Sequence, residues 1–495
     1  MADKAEKEKV YQLIEKYSSK FDYSVKETAI ILAAGHGKRI RSATSKMLHK
    51  IWGISTVERV FNACLAGFEK INIIVVVGIK APDVLEVFGK RENTLFAYQE
   101  EQNGTGHAVQ VALEKIKNNY DGTIYVLPGD MGLIDGQSLK KFKDDFIKAQ
   151  NDMMVLTGLY EGEPGQNNYG RILRVKEKDT YGKESGSNVG NVIEIIEHKD
   201  ILNLSEDKPY TAIFQGQTFT FSKHELLDNN EYNSGVFAFN FGKLTEQINR
   251  LQSNNVQAEL YLTDMISLFN ESSYSVGASS PSEQFVIMGF NNKEVLKEME
   301  SIARTMVYNK LKNIIEIDVP EDFFICETIV DELLKMDSKG EPLDIRIGKG
   351  SHVGRGVKLN YHCVLGKNVH LSGNINFGTD ITIHDNTSIS CFPGQKMVFD
   401  DNVKILNGNI IKGVVGVGMD SRIESHVHIT GNDEFPVNIG EKVTIKGTTY
   451  IFGSKIGKDT IIEHSVLIKK EVEQNSQVRF VIPQPEGLDR VKNLK

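Results

Sequence analysis

The feature that most narrows the possible folds is an apolar ladder with a six-residue step in the last third of the chain. Ile347, Val353, Leu359, Leu365, Leu371, Phe377, Ile383 and Ile389 stand six residues apart, and Gly348, Gly354, Gly366 and Gly378 each directly follow a rung. The ladder resumes at Ile405, Ile411, Val417, Ile423 and Ile429, then at Ile439, Ile445 and Ile451, then at Ile456, Ile462 and Ile468. Neither the two-residue period of a single strand nor the roughly 3.6-residue period of a helix produces this step. A parallel β-helix does, because such side chains stack inward on successive turns of the solenoid. The breaks near CFPGQK and TGNDEFP predict loops projecting from the coils.

Upstream the texture changes. From about Thr28 to Phe290, apolar runs alternate with helix-like segments. TAIILAAG enters a glycine-rich turn, and INIIVVVGI and TIYVLPGD follow, with STVERVFNACLAGF and GTGHAVQVALEKIKNN between them. Strand, helix and strand in succession predict βαβ units on a mostly parallel sheet, an α/β domain. The expected divisions are a charged helical extension over 1–27, the α/β domain over 28–292, a helical connector over 293–341, the β-helix over 342–480 and a tail over 481–495. The extension carries no recognisable motif.

Composition removes several functional classes. With 40% apolar and 25% charged residues in 495, the chain has a sizeable core and is not wholly disordered. A net charge of −8 argues against nucleic-acid binding through a general positive field. The apolar run INIIVVVGI is about half a membrane span, and MADKAEKEK is charged where a signal peptide needs an apolar stretch. Cys64, Cys326, Cys363 and Cys391 form no CxxC and no Cys/His zinc pattern. The expectation is a protein of the reducing cytoplasm, with neither nucleic acid nor membrane as a partner.

The first candidate site is LAAGHGKRIRSATSKMLHKIWG, Leu32 to Gly53, directly after the first strand. Small residues at Ala33, Ala34, Gly35 and Gly37 let backbone N–H groups approach an anionic or planar ligand, and Arg39 and Lys46 bring two cations. A P-loop would need GxxxxGK[ST], but Leu32 stands five before Gly37 and Lys38 is followed by Arg39. A dinucleotide-binding fingerprint would need a third glycine where Ile40 stands.

The whole loop instead resembles the LxxGxGxRxxSxxPKxLH signature of the sugar-1-phosphate nucleotidyltransferases. Its ending at Leu48 and His49 looks most like the bacterial N-acetylglucosamine-1-phosphate uridyltransferases of the bifunctional type. Further matches follow in order. YQEEQNGTGHA, Tyr98 to Ala108, resembles the uracil-binding segment, and LPGDMGL, Leu127 to Leu133, a metal-binding one. NNYGRI, EIIEHKD, EYNSG and AELYLTD resemble four stretches around the sugar-phosphate site, and GFNNKEVL from Gly289 a second metal segment.

What the resemblance implies is a Rossmann-like mixed-sheet domain followed by a left-handed β-helix, acting as a homotrimer. The implied reaction is Mg²⁺-dependent transfer from UTP to N-acetylglucosamine-1-phosphate, releasing pyrophosphate. Asp130 and Asn291 would hold Mg²⁺, with Arg39 and Lys46 on the phosphates. Gln99 would meet the uracil edge, with Leu32, Ala33, Ala34, Gly35, Gly104 and Thr105 around the nucleotide. Gly170, Glu197, Asn233, Tyr261 and Thr263 would line the sugar-phosphate pocket. Taken alone, Asp130 reads as a turn or helix-cap aspartate and the two cations as surface charge; the ordered set of motifs is what raises them.

Departures from the pattern are Lys38 for a threonine, Ser45 for a proline, Pro128 for an aromatic residue and Ala258 for a glycine. They bear on substrate choice more than on reaction type. The acetyltransferase segments KxxHLxYxGD and NYDGxxK have no counterpart beyond the echo NYHCVLG at Asn360 to Gly366. Candidate bases there are His352, His362, His370, His384, His426, His428 and His464, each also readable as a surface or loop histidine. The expectation is a scaffold without acetyl transfer. Three alternatives stay open: another sugar phosphate or nucleotide, a second acetylating activity, or a binding protein that has lost turnover.

Overall fold

The computed structural model describes residues 2–35 and 37–481. The chain divides into two compact units, Met1–Met299 and Glu300–Lys495. Of the expected tail over 481–495, only Val481 is within the described residues.

The first unit is built on a nine-stranded sheet. Its strands are β1 (Glu27–Ala33), β2 (Asn72–Val77), β3 (Thr94–Tyr98), β4 (Thr123–Pro128), β5 (Met153–Leu159), β6 (Arg171–Arg174), β7 (Val192–Ile196), β8 (Glu231–Asn240) and β9 (Val276–Ser279). The order is β9-β5-β8-β4-β1-β2-β3, with β6 paired to β8 and β7. Strands β1 to β4 are mutually parallel, whereas β8 runs antiparallel to both β4 and β5. Strand β2, NIIVVV, is buried at every position, as a parallel strand covered on both faces must be.

Helix α1 (Ala2–Tyr17) precedes the first strand, and α2 (Thr56–Gly67), α3 (Ala81–Phe88), α4 (Thr105–Leu113) and α5 (Gly136–Ala149) connect the strands from β1 to β5. Alternate residues of β1 enter different cores: Ala29 and Ile31 join Phe61, Phe96 and Phe142, while Ile30 joins Val109, Phe239 and Phe269. The sheet therefore carries a core on each face.

The second unit consists of three parallel ladders of nine, eight and seven strands. All eight rungs from Ile347 to Ile389 are buried. Ile347 pairs with Leu365, and Leu365 with Ile383, so one coil takes 18 residues, or three of the six-residue steps. Where Phe377 pairs with Phe399 and Val417 with Ile439, the coil lengthens to 22 residues to carry the CFPGQK and TGNDEFP loops. Buried polar side chains link successive coils at the corners. Ser351 Oγ donates to Gly366 O (2.7 Å) and accepts from Val369 N (3.0 Å). Asn409 donates to Leu406 O (2.7 Å) and accepts from Val427 N (2.8 Å). The architecture is a mixed α/β domain followed by a parallel β-helix, consistent with the left-handed kind that the resemblance implies.

One boundary and one rung move. Glu316–Ile317 pairs with Arg346–Ile347, and Phe324–Ile325 with His352–Val353, so the first rungs lie inside the expected connector, 293–341. Only Lys293–Leu311 and Glu327–Asp337 are α-helical there. Ile468 is 44% exposed, and Leu467 takes the rung opposite Ile451 instead. The last coils shrink to 16 residues, and the step from Ile462 to the next rung is five residues instead of six, which turns Leu467 inward in place of Ile468.

Candidate active site

Parallel neighbours bring the loops that follow their carboxyl ends to one edge of the sheet, where open α/β sheets bind ligands. The glycine-rich loop follows β1, Gln99 follows β3 and Gly129–Asp130 follows β4. A cavity of about 560 Å³ opens at this edge, within the size range of small-molecule sites. Of the residues named above for the transferase site, it gathers all except Ala33, Gly170 and Tyr261.

At one end, Lys46 is the hub. Its ammonium donates to Asp130 Oδ2 and to Asn291 Oδ1 (3.0 Å), and lies 5.3 Å from the centre of the Phe290 ring. Lys46 and Asp130 are 245 and 84 residues removed in pairing terms from Asn291 and Lys46 respectively, so only the fold brings the three together. Glycine is required at Gly37: its φ is +59°, and a Cβ there would lie 2.7 Å from Lys46 Cβ. Arg39 is exposed on the same loop and lines the cavity.

The nucleotide-side residues sit on the β3–α4 turn. Gln99 is 3% exposed, and its Nε2 donates to Gly104 O (2.9 Å) with His107 Nδ1 at 3.3 Å. Gly104 has φ +102°, and a Cβ there would fall 2.5 Å from Leu260 O. The turn is stitched to the AELYLTD segment: Leu260 N donates to Asn103 O and Gly106 N to Leu260 O (2.8 Å each), and Leu262 N to Thr105 Oγ1 (3.1 Å). Thr105 thus joins two walls of the cavity.

On the remaining side, Thr263 Oγ1 donates to Glu197 Oε1 (3.4 Å), and Asn233 Oδ1 accepts from Gly235 N (2.8 Å). That leaves the Asn233 amide NH₂ as its donor to a ligand. Burial, reinforced by Asp200, pushes the Glu197 carboxyl up to about 7. The three residues outside the cavity stand behind it. Ala33 is 1% exposed in the core. Gly170 O accepts from Asn233 N (2.9 Å), and a Cβ at Gly170 would press to 3.2 Å from the Glu197 carboxylate. Tyr261 OH accepts from Gln257 Nε2 (3.0 Å).

Lys199, Gln102, Gln257 and Glu259 also line the cavity and were not singled out from sequence. Lys199 had a visible signal, since it lies two residues past Glu197 inside EIIEHKD. Its ammonium now donates to Gln257 Oε1.

For a metal, the donor set is small. Among the described residues no group of three or more His, Cys, Asp or Glu side chains is placed to hold one. Asp130 Oδ2 and Asn291 Oδ1 nevertheless converge on a single cation, the Lys46 ammonium. Two hard oxygens at one point suit Mg²⁺, which takes most of its remaining ligands from water and phosphates.

Residues 29–176 match the family described as MobA-like NTP transferase domain. The "Bifunctional protein GlmU" of Acetivibrio thermocellus is 29% identical over 442 residues, covering 89% of this chain and 82% of that one. The "Bifunctional protein GlmU" of Thermoanaerobacter pseudethanolicus is 29% identical over 485 residues, covering 90% and 96%. A crystal structure of UDP-glucose pyrophosphorylase complexed with UDP-glucose aligns at 12% identity with a TM-score of 0.39, over 56% of this chain and 98% of that one. With a transferase domain at residues 29–176 and such relatives along nine-tenths of its length, the chain is a nucleotidyltransferase similar to the bifunctional GlmU proteins.

Proposed function

We propose that the chain transfers the uridylyl group of UTP to N-acetylglucosamine-1-phosphate. An oxygen of the sugar phosphate attacks the α-phosphorus, the bond from that phosphorus to the β-bridging oxygen breaks, and pyrophosphate leaves with that oxygen. The attacking phosphate needs no base to ionise it at neutral pH. The protein's task is to align two polyanions and offset their charge. The observation that carries this reading is one cavity joining Gln99 at one wall to the Lys46–Asp130–Asn291 cluster at another.

Gln99 spends its NH₂ on Gly104 O, leaving its carbonyl oxygen as an acceptor. Uracil presents an N3–H donor where cytosine presents an acceptor, so this oxygen favours UTP over CTP. Arg39 and Lys46 hold the triphosphate and the sugar phosphate. Asp130 and Asn291 would hold Mg²⁺, which when bound neutralises phosphate charge. Glu197, Asn233 and Thr263 meet the sugar, with Gly170 and Tyr261 supporting them from behind.

In the β-helix, five of the seven candidate histidines have structural positions, while His384 and His428 are exposed. His362, His426 and His464 occupy corner positions with φ of +57°, +60° and +45°. His362 Nδ1 meets Asp380 Oδ1 at 3.0 Å, and His352 stacks between Phe324 and His370. These engagements support a scaffold role. The test of the whole reading is a pyrophosphate-release screen crossing several nucleoside triphosphates with several sugar-1-phosphates. UTP with N-acetylglucosamine-1-phosphate should turn over fastest. A faster combination would replace the substrate assignment, and release with none would overturn the reading.

A further inference from the structure

The charged extension bears no chemical motif, yet it is built into the first unit. Helix α1 packs on α3 and along β3, and Val10 is 2% exposed within the core. Strand β3 ends the sheet order, so one side of it has no strand partner. An edge of that kind leaves alternate backbone groups unpaired. The residues after α1 satisfy them. Thr94 N donates to Ser19 Oγ (2.7 Å), Phe96 N to Ser18 Oγ (3.2 Å), and Ser19 N to Thr94 O (2.8 Å).

Two further contacts reach beyond edge sealing, to the end of β3. The Tyr11 ring meets the Tyr98 ring edge-on at 5.7 Å, and Lys7 forms an ion pair with Glu100. Tyr98 and Glu100 are the immediate neighbours of Gln99. A side chain this buried goes where its backbone goes, and both flanking residues are gripped from the same helix.

We propose that the amino-terminal helix is a positioning element for nucleotide recognition, with Lys7 and Tyr11 fixing the Tyr98–Gln99–Glu100 turn that presents the Gln99 amide. This rests on the reading of Gln99 as the base-contacting residue. The Ser18 and Ser19 bonds serve stability of the edge; the Lys7 and Tyr11 contacts serve affinity for the nucleotide.

The experiment measures UTP binding by calorimetry and steady-state kinetics on the full chain. The Lys7→Ala/Tyr11→Ala double variant should fold normally. An exposed ion pair and one edge-on ring contact together account for about a three- to tenfold change. That change should appear as a higher UTP Kd and KM, with kcat and the sugar-phosphate KM within about twofold. Lys7→Glu should weaken UTP binding, and adding Glu100→Lys should restore it. In a Gln99→Ala background the double substitution should have no further effect. If the wild-type chain binds UTP and the variants bind it equally well, the positioning role is wrong and the reading of the cavity stands. An equal loss in the Gln99→Ala background also defeats it, because the helix would then act elsewhere. If the wild-type chain binds no UTP, the reading of the cavity fails first and this inference falls with it.

Discussion

Asp130 gains its meaning from what meets it. On its own it is an aspartate after a strand, a common turn residue, and only the shared ammonium of Lys46 ties it to Asn291. Replacing it with asparagine keeps the size and removes the charge. Asp130→Asn should lower kcat by about 10²–10³ at saturating Mg²⁺, the usual cost of losing one such electrostatic contributor. Its unfolding midpoint should stay within a few degrees of the parent. Near-normal turnover in the folded variant would remove Asp130 from the metal site. The residues that motif reading placed in the cavity but the fold holds behind it, Gly170 and Tyr261, share a reason. Motif order records which segments approach a ligand, whereas the direction each residue faces depends on strand register and turn geometry. Tyr261 turns to Gln257, and Gly170 gives its carbonyl to Asn233.

At the level of elements, the end of strand β7 and the AELYLTD segment packed beside it concentrate acids in a dry setting. Burial raises Glu194 to about 7, Glu197 to about 7 and Asp264 to about 6, from ordinary values of 4.5, 4.5 and 3.8. Ser267 Oγ donates to Glu194 Oε2 (3.4 Å), and Glu194 Oε1 is buried with no hydrogen-bond partner among the described residues. An acid raised in this way still binds its proton in the folded chain at a pH where the unfolded chain has released it. Stability therefore falls as pH climbs from roughly 4.5 to about 7, then levels off. Glu194→Gln should be as stable as the parent near pH 4 and more stable by about 3 kcal/mol near pH 8. Urea unfolding at the two pH values measures this; equal stability at the higher pH would show that the charge carries no burial cost. The GTG turn makes a related point about legibility. Its glycines are visible in sequence, but the reason for Gly104 and Gly106 is the backbone of Leu260, a segment far along the chain.

For the whole molecule, both units expose apolar side chains, and those of the β-helix, including Ile461 and Tyr450, lie on two of its ladders. Rows of outward side chains on a repetitive stack favour association between copies. Light scattering of the full 55.4 kDa chain should give the mass of a trimer. Acetyl-CoA with glucosamine-1-phosphate should release no thiol above background. A monomer would defeat the first expectation, and sustained substrate-dependent thiol release the second.

Periodicity by itself determined the β-helix, because inward stacking demands an apolar residue at each rung whatever surrounds it. The ordered motifs marked most of the segments that line the cavity, since loops following parallel strands meet at one edge of the sheet. Tertiary structure decided the rest. It placed the first rungs at Ile317 and Ile325, ahead of the six-residue ladder, because pairing with an existing coil suffices to order a short strand. It exchanged Ile468 for Leu467 where one step shortened from six residues to five. It also turned a motif-free charged helix into a brace on the strand beside Gln99, since what that helix does depends on the edge it covers and not on its own composition.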